Sequence, residues 1–441
     1  MEAAAGFPRY DQYKDSGVEW IGEVPSDWKV LPFKALFRMS TQKNGKDVVG
    51  DMLSVSGYRG IEVKHYEHEE QKRAEEDLAE YRVVRKGQLV VNTMWLNYAG
   101  LGVSEHEGHV SPAYRSYFIS EPLYSRYAHY LLRSHIYVEG YTGQMQGIRP
   151  NSLQIKNSDF SKLPVLIPRI DEQQRIANFL DQKTAEIDAA IAQKQRLIEL
   201  LKEQKAILIN QAVTQGLDPN VPMYDSGVEW IGQVPEHWEV LQNRRGLRKI
   251  EQGSSPSLNN DIQDDTYSVL KLSAVKSGIY IDHEYKPIPK KFFRRAYQVK
   301  KGDFLMTRGN TPELVADICY VKDDPVGQVM MPDLVYRLEY DESIFDKEFV
   351  AYFFQSKPAR EQIKLSARGS SPTMVKVSQD HIKSWLVPVP PLVEQRRIRT
   401  YLDKAVAEIG APIEQTNQQI QMLGELKSVL ISEAVTGKIK L

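Results

Sequence analysis

One long amphipathic pattern runs along the chain from residue 171 to 214. This stretch contains no glycine or proline and is rich in alanine, leucine, glutamate, glutamine and lysine, the residues that lose least free energy in a helix. Apolar residues recur in it at steps of 4, 7, 4, 7, 3 and 7: Ile176, Leu180, Ile187, Ile191, Ile198, Leu201 and Leu208. These steps keep one apolar stripe on one face, which predicts a single helix about 65 Å long.

The same stripe returns 222 residues later with the same residue type at every position: Ile398, Leu402, Ile409, Ile413, Ile420, Leu423 and Leu430. The flanks agree as well, because Glu172-Gln173 matches Glu394-Gln395. Two long helices with matching stripes are expected to pair, and the early 11-residue spacing favours a nearly straight pair. The plain alternative is a helical hairpin that buries apolar surface inside an ordinary domain.

A second repeated segment shows that the duplication extends beyond the helices. Residues 15–25 read DSGVEWIGEVP and residues 225–235 read DSGVEWIGQVP, followed by Trp28 and Trp238. We call this segment the marker. The chain therefore consists of two tandem copies of one unit, each with a marker, a variable region and a long helix. We expect the marker to be a strap packed on the core of its own repeat, and not a catalytic element.

The variable regions have little sequence in common but predict the same order of elements. Each alternates short apolar strands with one short helix, which is typical of a mixed α/β domain with a meandering sheet. The predicted strands are 81–84, 89–91, 114–119 and 153–155 in the first copy, and 297–299, 304–306, 335–338 and 375–377 in the second. The predicted helices are 126–132 and 349–354, and proline-rich segments at 163–168 and 387–391 predict extended linkers before the long helices.

The second long helix differs from the first at Pro412. Proline lacks the N–H that a helix interior needs and costs about 3 kcal/mol there. The first helix carries Ala190 at the matching position. We therefore predict a kink or a one-turn break near Pro412 and an unbroken first helix.

Composition narrows the class of protein. The 441 residues carry a formal net charge of −1, so any argument for nucleic acid must be local. The single cysteine, Cys319, excludes a disulfide framework and a cysteine-rich zinc site. The chain has no run of 18 apolar residues, and its N-terminus does not resemble a signal peptide, so we expect a soluble, cytoplasmic protein.

Catalytic motifs are missing from the sequence. It contains no phosphate-binding loop, no dinucleotide-binding turn, no paired Cys/His metal spacing and no Asn/Asp-Pro-Pro-aromatic tetrad of amino-methyltransferases. Residues 240–310, in contrast, hold 14 Lys/Arg against 7 Asp/Glu. Basic side chains on one face attract phosphates without sequence preference, although an ordinary solvated surface is the alternative. The balance favours a binding protein over an enzyme.

Polar side chains on glycine-bearing loops are the candidates for reading DNA bases, because Arg suits guanine and Asn or Gln suits adenine. An ordinary surface position is the alternative for each of them. The candidates in the first copy are Asn92, Trp95, Gln144, Gln146 and Arg149. Those in the second copy are Arg308, Asn310, Arg368, Ser370 and Thr373, while Arg244 and Arg245 begin the basic stretch and are candidates for binding DNA through its phosphates.

Taken together, these motifs resemble the specificity subunit of type I restriction–modification systems. The resemblance rests on Glu-Gln-x-x-Ile near the start of both long helices and on Ala-Val-Thr near their ends, at 212–214 and 434–436. The marker also resembles the domain starts of this family. The doubled layout covers nearly the whole chain and is more specific than any one motif.

The resemblance implies an α+β fold. Two mixed α/β target-recognition domains would be separated by two long antiparallel helices that form a coiled coil, in a pseudo-twofold tandem repeat. The implied segments are residues 1–166 and 216–387 for the recognition domains, and 167–215 and 388–441 for the spacer helices.

The resemblance further implies a non-catalytic DNA-binding subunit that reads a bipartite, asymmetric site in double-stranded DNA. Two adenine-methyltransferase subunits that use S-adenosylmethionine would flank it, and two restriction subunits that use ATP and Mg would complete the complex. No cofactor is expected in this chain, and no membrane. The alternative function is a tandem-repeat coiled-coil adaptor that assembles proteins without reading DNA.

Overall fold

The structure is a computed structural model that describes residues 6–57, 59–66, 78–147, 153–256, 267–371 and 374–441. The chain forms two compact units. The first unit contains residues 1–195 and 417–441, and the second contains residues 196–416. Each unit thus holds one marker, one variable region and parts of both long helices. The four-segment division expected from the sequence is a functional division and stays a prediction.

The first unit contains a hairpin, a two-stranded ribbon and two four-stranded sheets, in the orders β1-β2, β12-β3, β4-β11-β8-β9 and β6-β5-β10-β7. The strands are β1 Tyr13–Asp15, β2 Glu23–Pro25, β3 Lys29–Pro32, β4 Phe37–Met39, β5 Asp51–Ser56, β6 Gly60–Val63, β7 Arg82–Val84, β8 Leu89–Val91, β9 Leu101–Val103, β10 Gly108–Val110, β11 Arg115–Ile119 and β12 Pro164–Ile167.

The second unit repeats the hairpin and the ribbon, as β13-β14 and β15-β28, and adds three sheets, β16-β25-β21-β23-β19-β18, β20-β17-β24 and β22-β27-β26. The strands are β13 Met223–Asp225, β14 Gln233–Pro235, β15 Glu239–Gln242, β16 Leu247–Gln252, β17 Tyr267–Leu270, β18 Val275–Lys276, β19 Gly278–Tyr280, β20 Tyr285–Pro287, β21 Phe304–Thr307, β22 Gly309–Asn310, β23 Ile318–Tyr320, β24 Gln328–Met330, β25 Val335–Tyr340, β26 Arg368–Ser371, β27 Met374–Lys376 and β28 Leu386–Val389.

Two long helices and several short ones complete the units. The helices are α1 Phe33–Leu36, α2 Ser125–Arg133, α3 His135–Gln144, α4 Asn157–Phe160, α5 Ile170–Gln215, α6 Lys347–Gln355, α7 Lys357–Ser366, α8 Gln379–Ser384 and α9 Leu392–Val435. Over the described residues, none of these helices combines the length and apolarity that crossing a bilayer requires. Because both units combine sheets of mostly antiparallel strands with separate helices, the predicted α+β class is confirmed.

Strand register confirms that the two copies are structural repeats. Leu31 pairs with Val165 in the first ribbon, and Leu241 pairs with Val387 in the second. The partners differ by the same 210 and 222 positions that separate the repeats in the sequence. The proline-rich segments predicted as linkers are thus strands, because each returns to pair with the strand that follows the marker.

The marker is a strap on the core of its unit, as predicted. In the first copy it forms the hairpin β1–β2, and Ile21, Val24 and Trp28 are buried. Its turn places Gly22 at a φ of 69°, and the matching Gly232 has a φ of 70°. Glycine adopts this left-handed conformation without strain, which explains why both copies keep it.

In the first unit, the start of α5 packs antiparallel to the end of α9. Asp188 accepts hydrogen bonds from Nζ of Lys427 at 2.7 and 2.6 Å, and Nζ of Lys194 donates to Gln419 at 2.6 Å. The residue numbers rise along one helix as they fall along the other. Ile176 and Leu180 from α5, and Leu430 and Ala434 from α9, share one apolar core with the recognition domain: Trp28, Tyr127, Tyr137 and Phe160 are among its members.

In the second unit, the end of α5 packs against the start of α9. Ile209 and Val213 share a core with Ile398 and Leu402. Within each unit, therefore, the variable region is built onto both helices, and all fourteen residues of the two predicted stripes are buried or half-buried.

Of the two outcomes predicted at Pro412, the one-turn break is wrong, and the kink stays a prediction. Helix α9 continues from Leu392 to Val435 with Pro412 in its interior. The Thr416 hydroxyl donates to the Pro412 carbonyl at 2.6 Å, and Ile409 and Thr416 are buried one turn to either side. Most helical stability in proteins comes from packing of the apolar face, and here that packing outweighs the loss of one hydrogen bond.

Two of the predicted strands are also wrong. Segment 297–299 begins in a 3-10 turn at Arg295–Tyr297, and Gln298 makes only an isolated bridge with Met330. Segment 153–155 makes only the bridge between Gln146 and Gln154. In both segments an apolar residue is buried by its neighbours without a continuous ladder, a distinction that the apolar pattern cannot make.

Candidate nucleic-acid interface

A repeated glutamine fixes each variable region to its long helix. Gln173 donates from Nε2 to the carbonyls of Pro122 at 2.9 Å and Pro168 at 3.0 Å, and its Oε1 accepts the N–H of Tyr124 at 2.7 Å. The side chain therefore joins the start of α5 to the turn before α2 and to the end of the ribbon.

Gln395 makes the same three bonds in the second unit. Its Nε2 donates to Ile344 and Pro390, both at 2.8 Å, and its Oε1 accepts the N–H of Asp346 at 2.8 Å. The preceding glutamates hold the markers: Glu172 accepts from the indole of Trp28 at 3.3 Å, and Glu394 lies 2.8 Å from the His237 ring. The Glu-Gln pair of the motif thus fixes the variable region, and a residue that follows the marker, to the start of the long helix.

The predicted contact loop after β8 displays aromatic side chains. Trp95 is 50% exposed and Tyr98 is 48% exposed, and their ring centroids lie 5.9 Å apart in an edge-on arrangement. Asn92 is buried, and its Oδ1 accepts the N–H of Met94 at 3.2 Å. Asn92 therefore shapes the loop from inside, whereas Trp95 faces outward.

A half-buried arginine, missed in the sequence, holds this loop. Arg133 at the end of α2 donates to the carbonyls of Ala99 at 2.9 Å, Leu101, and Gly57 at 2.8 Å. Burial lowers the pKa of Arg133 to about 10, and Ala99 adopts a left-handed φ of 53°. The apolar helix pattern gave no signal for this role, because an arginine in a last helical turn is usually solvated.

The two candidate glutamines lie at and just beyond the end of a helix that packs against this loop. Gln144 is the last residue of α3, which packs against the 3-10 turn Leu96–Tyr98 of the loop. Gln146 follows it, and both side chains are exposed. Arg149 lies outside the described residues. The structure thus brings Trp95, Gln144 and Gln146 onto neighbouring elements.

Arg115, which was not among the candidates from the sequence, lies on the strand next to the one that leads into this loop. It pairs in register with Val91, the residue before Asn92, and its guanidinium donates to the side chain of Asn157 at the start of α4. A strand that begins with arginine gives no clear signal in the sequence.

In the second unit, one small sheet brings together candidates from two distant segments. Strand β22 holds Asn310 and pairs with β27, which pairs in turn with β26, where Arg368 and Ser370 lie. The exposed Arg368 donates to the carbonyl of Leu365 at 2.7 Å. The side chain of Ser370 and all of Thr373 lie outside what the structure describes.

Arg308 precedes this sheet and is half-buried. Its guanidinium carbon lies 6.0 Å from the ring centroid of Tyr336, and its Nε has no hydrogen-bond partner among the described residues. The loop that follows is held by Arg360, which donates to Val315 and Glu313, both at 2.8 Å. Desolvation lowers the pKa of Arg360, and a half-buried arginine thus braces the loop here as in the first unit.

Arg244 and Arg245 lie on a 3-10 turn that packs against α8. Asn243 anchors this turn, since its amide donates to the Ile382 carbonyl at 3.0 Å. Both arginines are exposed, and no described carboxylate lies within salt-bridge distance of either. They are free to bind a phosphate or a base.

The chemistry that these residues offer is hydrogen bonding, stacking and positive charge. Among the described residues, no group of three or more His, Cys, Asp or Glu side chains could hold a metal ion. Cys319 is buried, and burial raises the pKa of its thiol well above the ordinary value. The exposed edges of both units suit binding to a polar, anionic surface.

Comparison with known proteins agrees with this arrangement. Residues 235–422 match the family described as the type I restriction modification DNA specificity domain. The chain is 23% identical over 456 residues to the type I restriction enzyme MjaX specificity subunit of Methanocaldococcus jannaschii, covering 95% of each chain. It is 22% identical to the EcoKI specificity subunit of Escherichia coli K12, covering 72% of this chain and 66% of that one.

A solved structure shares the fold. It belongs to a study of complex assembly and conformational transition of the type I R-M system, and it matches with a TM-score of 0.65 at 13% identity, covering 94% of this chain and 99% of that one. By sequence, the chain is thus similar to specificity subunits of type I restriction enzymes, and it shares its fold with a solved protein of a type I R-M system.

Proposed function

We propose that this chain reads a bipartite, asymmetric site in double-stranded DNA, with one half-site for each unit. The observation that carries the proposal is the repeated attachment of unlike domains. Gln173 and Gln395 make the same three hydrogen bonds, yet the loops that they position differ. Because the attachment is the same, each variable region would be oriented alike on its long helix. Because the loops differ, each would recognise a different half-site.

The first unit would read its half-site with Trp95, Gln144, Gln146, Arg149 and Arg115. The second unit would use Arg244, Arg245, Arg308, Asn310 and the β26–β27 hairpin. Asn92 is buried, so its role is to hold the first loop in shape.

The long helices would set the distance between the half-sites and bind the catalytic partners. Each unit leaves large apolar side chains of these helices exposed, such as Leu200 at 47% and Met422 at 53%. Exposed apolar side chains of this kind suit protein docking. The partners would be two adenine methyltransferases with S-adenosylmethionine and two restriction subunits with ATP and Mg, while this chain catalyses no step.

Methylome sequencing of cells that express this chain with its methyltransferase partner tests the proposal. We expect N6-methyladenine at one split motif whose two halves differ. An Arg308→Gln/Arg368→Gln variant should relax one half and leave the other intact, since a lost bidentate contact costs about 1–3 kcal/mol of base discrimination. A partner complex that co-purifies but methylates no defined motif would favour the adaptor function instead.

A further inference from the structure

One segment of the second unit concentrates positive charge beyond what the proposed base contacts need. Residues 286–301, here called the basic segment, contain seven Lys/Arg and no Asp/Glu in sixteen positions. All seven basic side chains are exposed: Lys286, Lys290, Lys291, Arg294, Arg295, Lys300 and Lys301. None of them belongs to the base-reading set proposed above.

Apolar residues between the charges anchor this segment. Ile288 is fully buried, and Phe292 and Phe293 pack on a small core with Val269 and Met330. The ring of Phe293 lies 5.0 Å from that of Tyr267. The alternation fixes two 3-10 turns, Lys290–Phe292 and Arg295–Tyr297, and leaves the basic side chains pointing outward.

An ion network fastens the end of the segment. Arg337 lies within 2.8 Å of Glu251 and 3.0 Å of Asp303, and it donates to the carbonyls of Ala296, at 3.3 Å, and Gln298. Burial is the main cause that raises the pKa of Asp303, against the opposing effect of Arg337. The backbone under the charges is therefore held before any ligand arrives, which reduces the entropy cost of binding.

The charges are not balanced within the protein. Of the seven, only Lys301 has a carboxylate within salt-bridge distance among the described residues, Asp323 at 3.6 Å. Other basic residues of the same unit are paired: Lys249 with Glu251 at 3.2 Å, Lys271 with Glu284 at 3.3 Å, Lys322 with Glu348 at 3.4 Å and Lys347 with Glu342 at 2.7 Å. Lys290 and Lys291 lie 5.9 and 5.2 Å from the rings of Tyr267 and Phe292, but like charges without carboxylate partners repel one another. Ion pairing within the fold therefore does not account for this cluster.

The first copy does not share this charge, because residues 71–86, which correspond to the basic segment, hold five Lys/Arg and four Asp/Glu. Aligned on the Lys-Gly turns at 86–87 and 301–302, residues 290–297 (KKFFRRAY) correspond to residues 75–82 (EEDLAEYR). Glu80, which takes the place of Arg295, is paired with Lys43 at 2.5 Å. The structure does not describe residues 67–77. The basic segment is thus a property of one unit and not of the repeat.

We propose that the basic segment binds the phosphate backbone of double-stranded DNA and supplies affinity without sequence preference, on the second unit alone. This inference rests on the proposed function, because it names a second contact of the same DNA ligand. Rows of unpaired Lys and Arg on a rigid ledge complement a polyanion, and each phosphate neutralised releases condensed counterions. The corresponding residues 75–82 of the first copy hold four Asp/Glu against one Arg in sequence, so we expect the complex to grip one flank of its site more tightly.

A salt titration of DNA binding tests this contact. The full chain, co-purified with its methyltransferase partner, is titrated with a fluorescent duplex bearing the methylated motif and with a scrambled duplex, between about 50 and about 200 mM salt. The test variant is Lys290→Gln/Lys291→Gln/Arg294→Gln/Arg295→Gln. The matched control removes the same number of charges from paired lysines: Lys249→Gln/Lys271→Gln/Lys322→Gln/Lys347→Gln.

The test variant should bind both duplexes more weakly, with a slope of log affinity against log salt shallower by about 2 to 4. Its preference for the motif over the scrambled duplex and its methylated motif should stay unchanged. The control should keep the wild-type slope. A test variant with the wild-type slope overturns the inference, and if that variant instead loses the methyltransferase subunit, the segment is a protein-docking surface. Failure of the proposed function looks different, since the wild-type complex would then show no preference for any motif.

Discussion

Gln395 is completely buried, although its neighbours near the start of α9 are the charged residues Glu394, Arg396 and Arg397. Its amide makes three hydrogen bonds to the backbone of the recognition domain, as Gln173 does in the first unit. In the sequence, both glutamines are recognisable as a repeated residue near the start of each long helix, but nothing there indicates their function. That function depends on carbonyls at Ile344 and Pro390, which only the folded chain brings within reach.

Gln395→Ala should lower the free energy of unfolding by about 3 kcal/mol, because it leaves one N–H and two carbonyls buried without partners. Gln421→Ala is the matched control, since Gln421 is exposed on the same helix and bonds only to Glu425 at 2.9 Å. We expect the control to change stability by less than about 0.5 kcal/mol. Urea denaturation followed by circular dichroism measures both, and equal midpoints for the two variants would contradict the assignment.

His129 gives the first unit a pH dependence. Its Nδ1 accepts the N–H of Val103 at 3.2 Å, and burial together with Arg133 and Arg126 lowers its pKa from 6.5 to about 3. Between these two values the unfolded chain binds a proton that the folded chain does not. The free energy of unfolding therefore falls as the pH falls, by about 2 kcal/mol at pH 5 from this residue alone.

His129→Asn should remove that contribution, because asparagine can accept the same N–H and does not titrate. Thermal melts of the two proteins at pH 7.5 and pH 5 compare them. The wild-type melting temperature should drop further on acidification than that of the variant. An identical drop would show that His129 is not the group that titrates.

The residues that we propose to contact DNA were only partly predictable. Trp95, Arg308 and Arg368 were found because they follow strands or glycines, and the structure places all three at loop or sheet edges. Arg133 and Arg360 were missed, since their importance lies in carbonyls from distant loops. Asn92 was selected by the same rule that found Trp95, but its side chain points inward.

At the scale of elements, the long helices were the most predictable part of the fold. Fourteen stripe positions fixed their faces and their pairing, and α5 begins one residue before the predicted 171 and ends one residue after 214. The short strands were less predictable, as segment 297–299 shows, because a buried apolar residue there needs no ladder. Pro412 was misjudged for a related reason, since packing overrode a local preference.

Pro412→Ala should stabilise the second unit by about 1–3 kcal/mol, because it restores an N–H to the helix interior at an exposed position. The reciprocal change, Ala190→Pro at the matching position of α5, should destabilise the first unit by about 3 kcal/mol. Thermal melts of both variants measure the effects. A stability loss in Pro412→Ala would mean that the proline ring itself contributes to packing.

The helices also invite a test of spacing. Residues 192–198 of α5 and 414–420 of α9 are related by the 222-residue repeat. Deleting both segments shortens each helix by about 10 Å, which corresponds to about three base pairs of DNA. If the helices act as a ruler, methylome sequencing should show the same two half-sites separated by a shorter gap.

Deleting only one segment is the control, because it breaks the pairing of the stripes and should abolish methylation. A double deletion that keeps the wild-type gap would contradict the ruler, and it would leave the gap to be set by the partner subunits.

At the scale of the whole molecule, each compact unit has the same construction although the chain enters it differently. The second unit is continuous from 196 to 416, whereas the first joins residues 1–195 to 417–441. In the first unit Nζ of Lys438 donates to the Glu23 carbonyl at 2.5 Å, so the segment after the last helix returns to the first marker. A marker thus receives the end of a long helix in both units, as Gly216 beside Trp238 shows in the second.

This construction makes each variable region an exchangeable module. In the second unit, β15 and β28 pair over their whole length, with Glu239 opposite Val389 and Gln242 opposite Leu386. The variable region therefore leaves and rejoins the scaffold at one ribbon, and only two adjacent connections have to be cut to replace it. The buried Asn243 and Gln395 lie just inside and just outside this ribbon.

Replacing residues 243–385 with the corresponding region of a relative should change one half-site and leave the other half-site and the gap unchanged. The physical reason is that the ribbon, Gln395 and its bond to Pro390 stay in the scaffold, while all second-unit candidates for base contact travel with the insert. The inserted region has to supply the backbone groups that Ile344 and Asp346 now offer to Gln395. Methylome sequencing of the chimera with the original methyltransferase partner provides the measurement, and the reciprocal replacement within the first ribbon provides the control. A chimera that alters both halves would mean that reading is shared between the units, and the modular interpretation of the repeat would then be wrong.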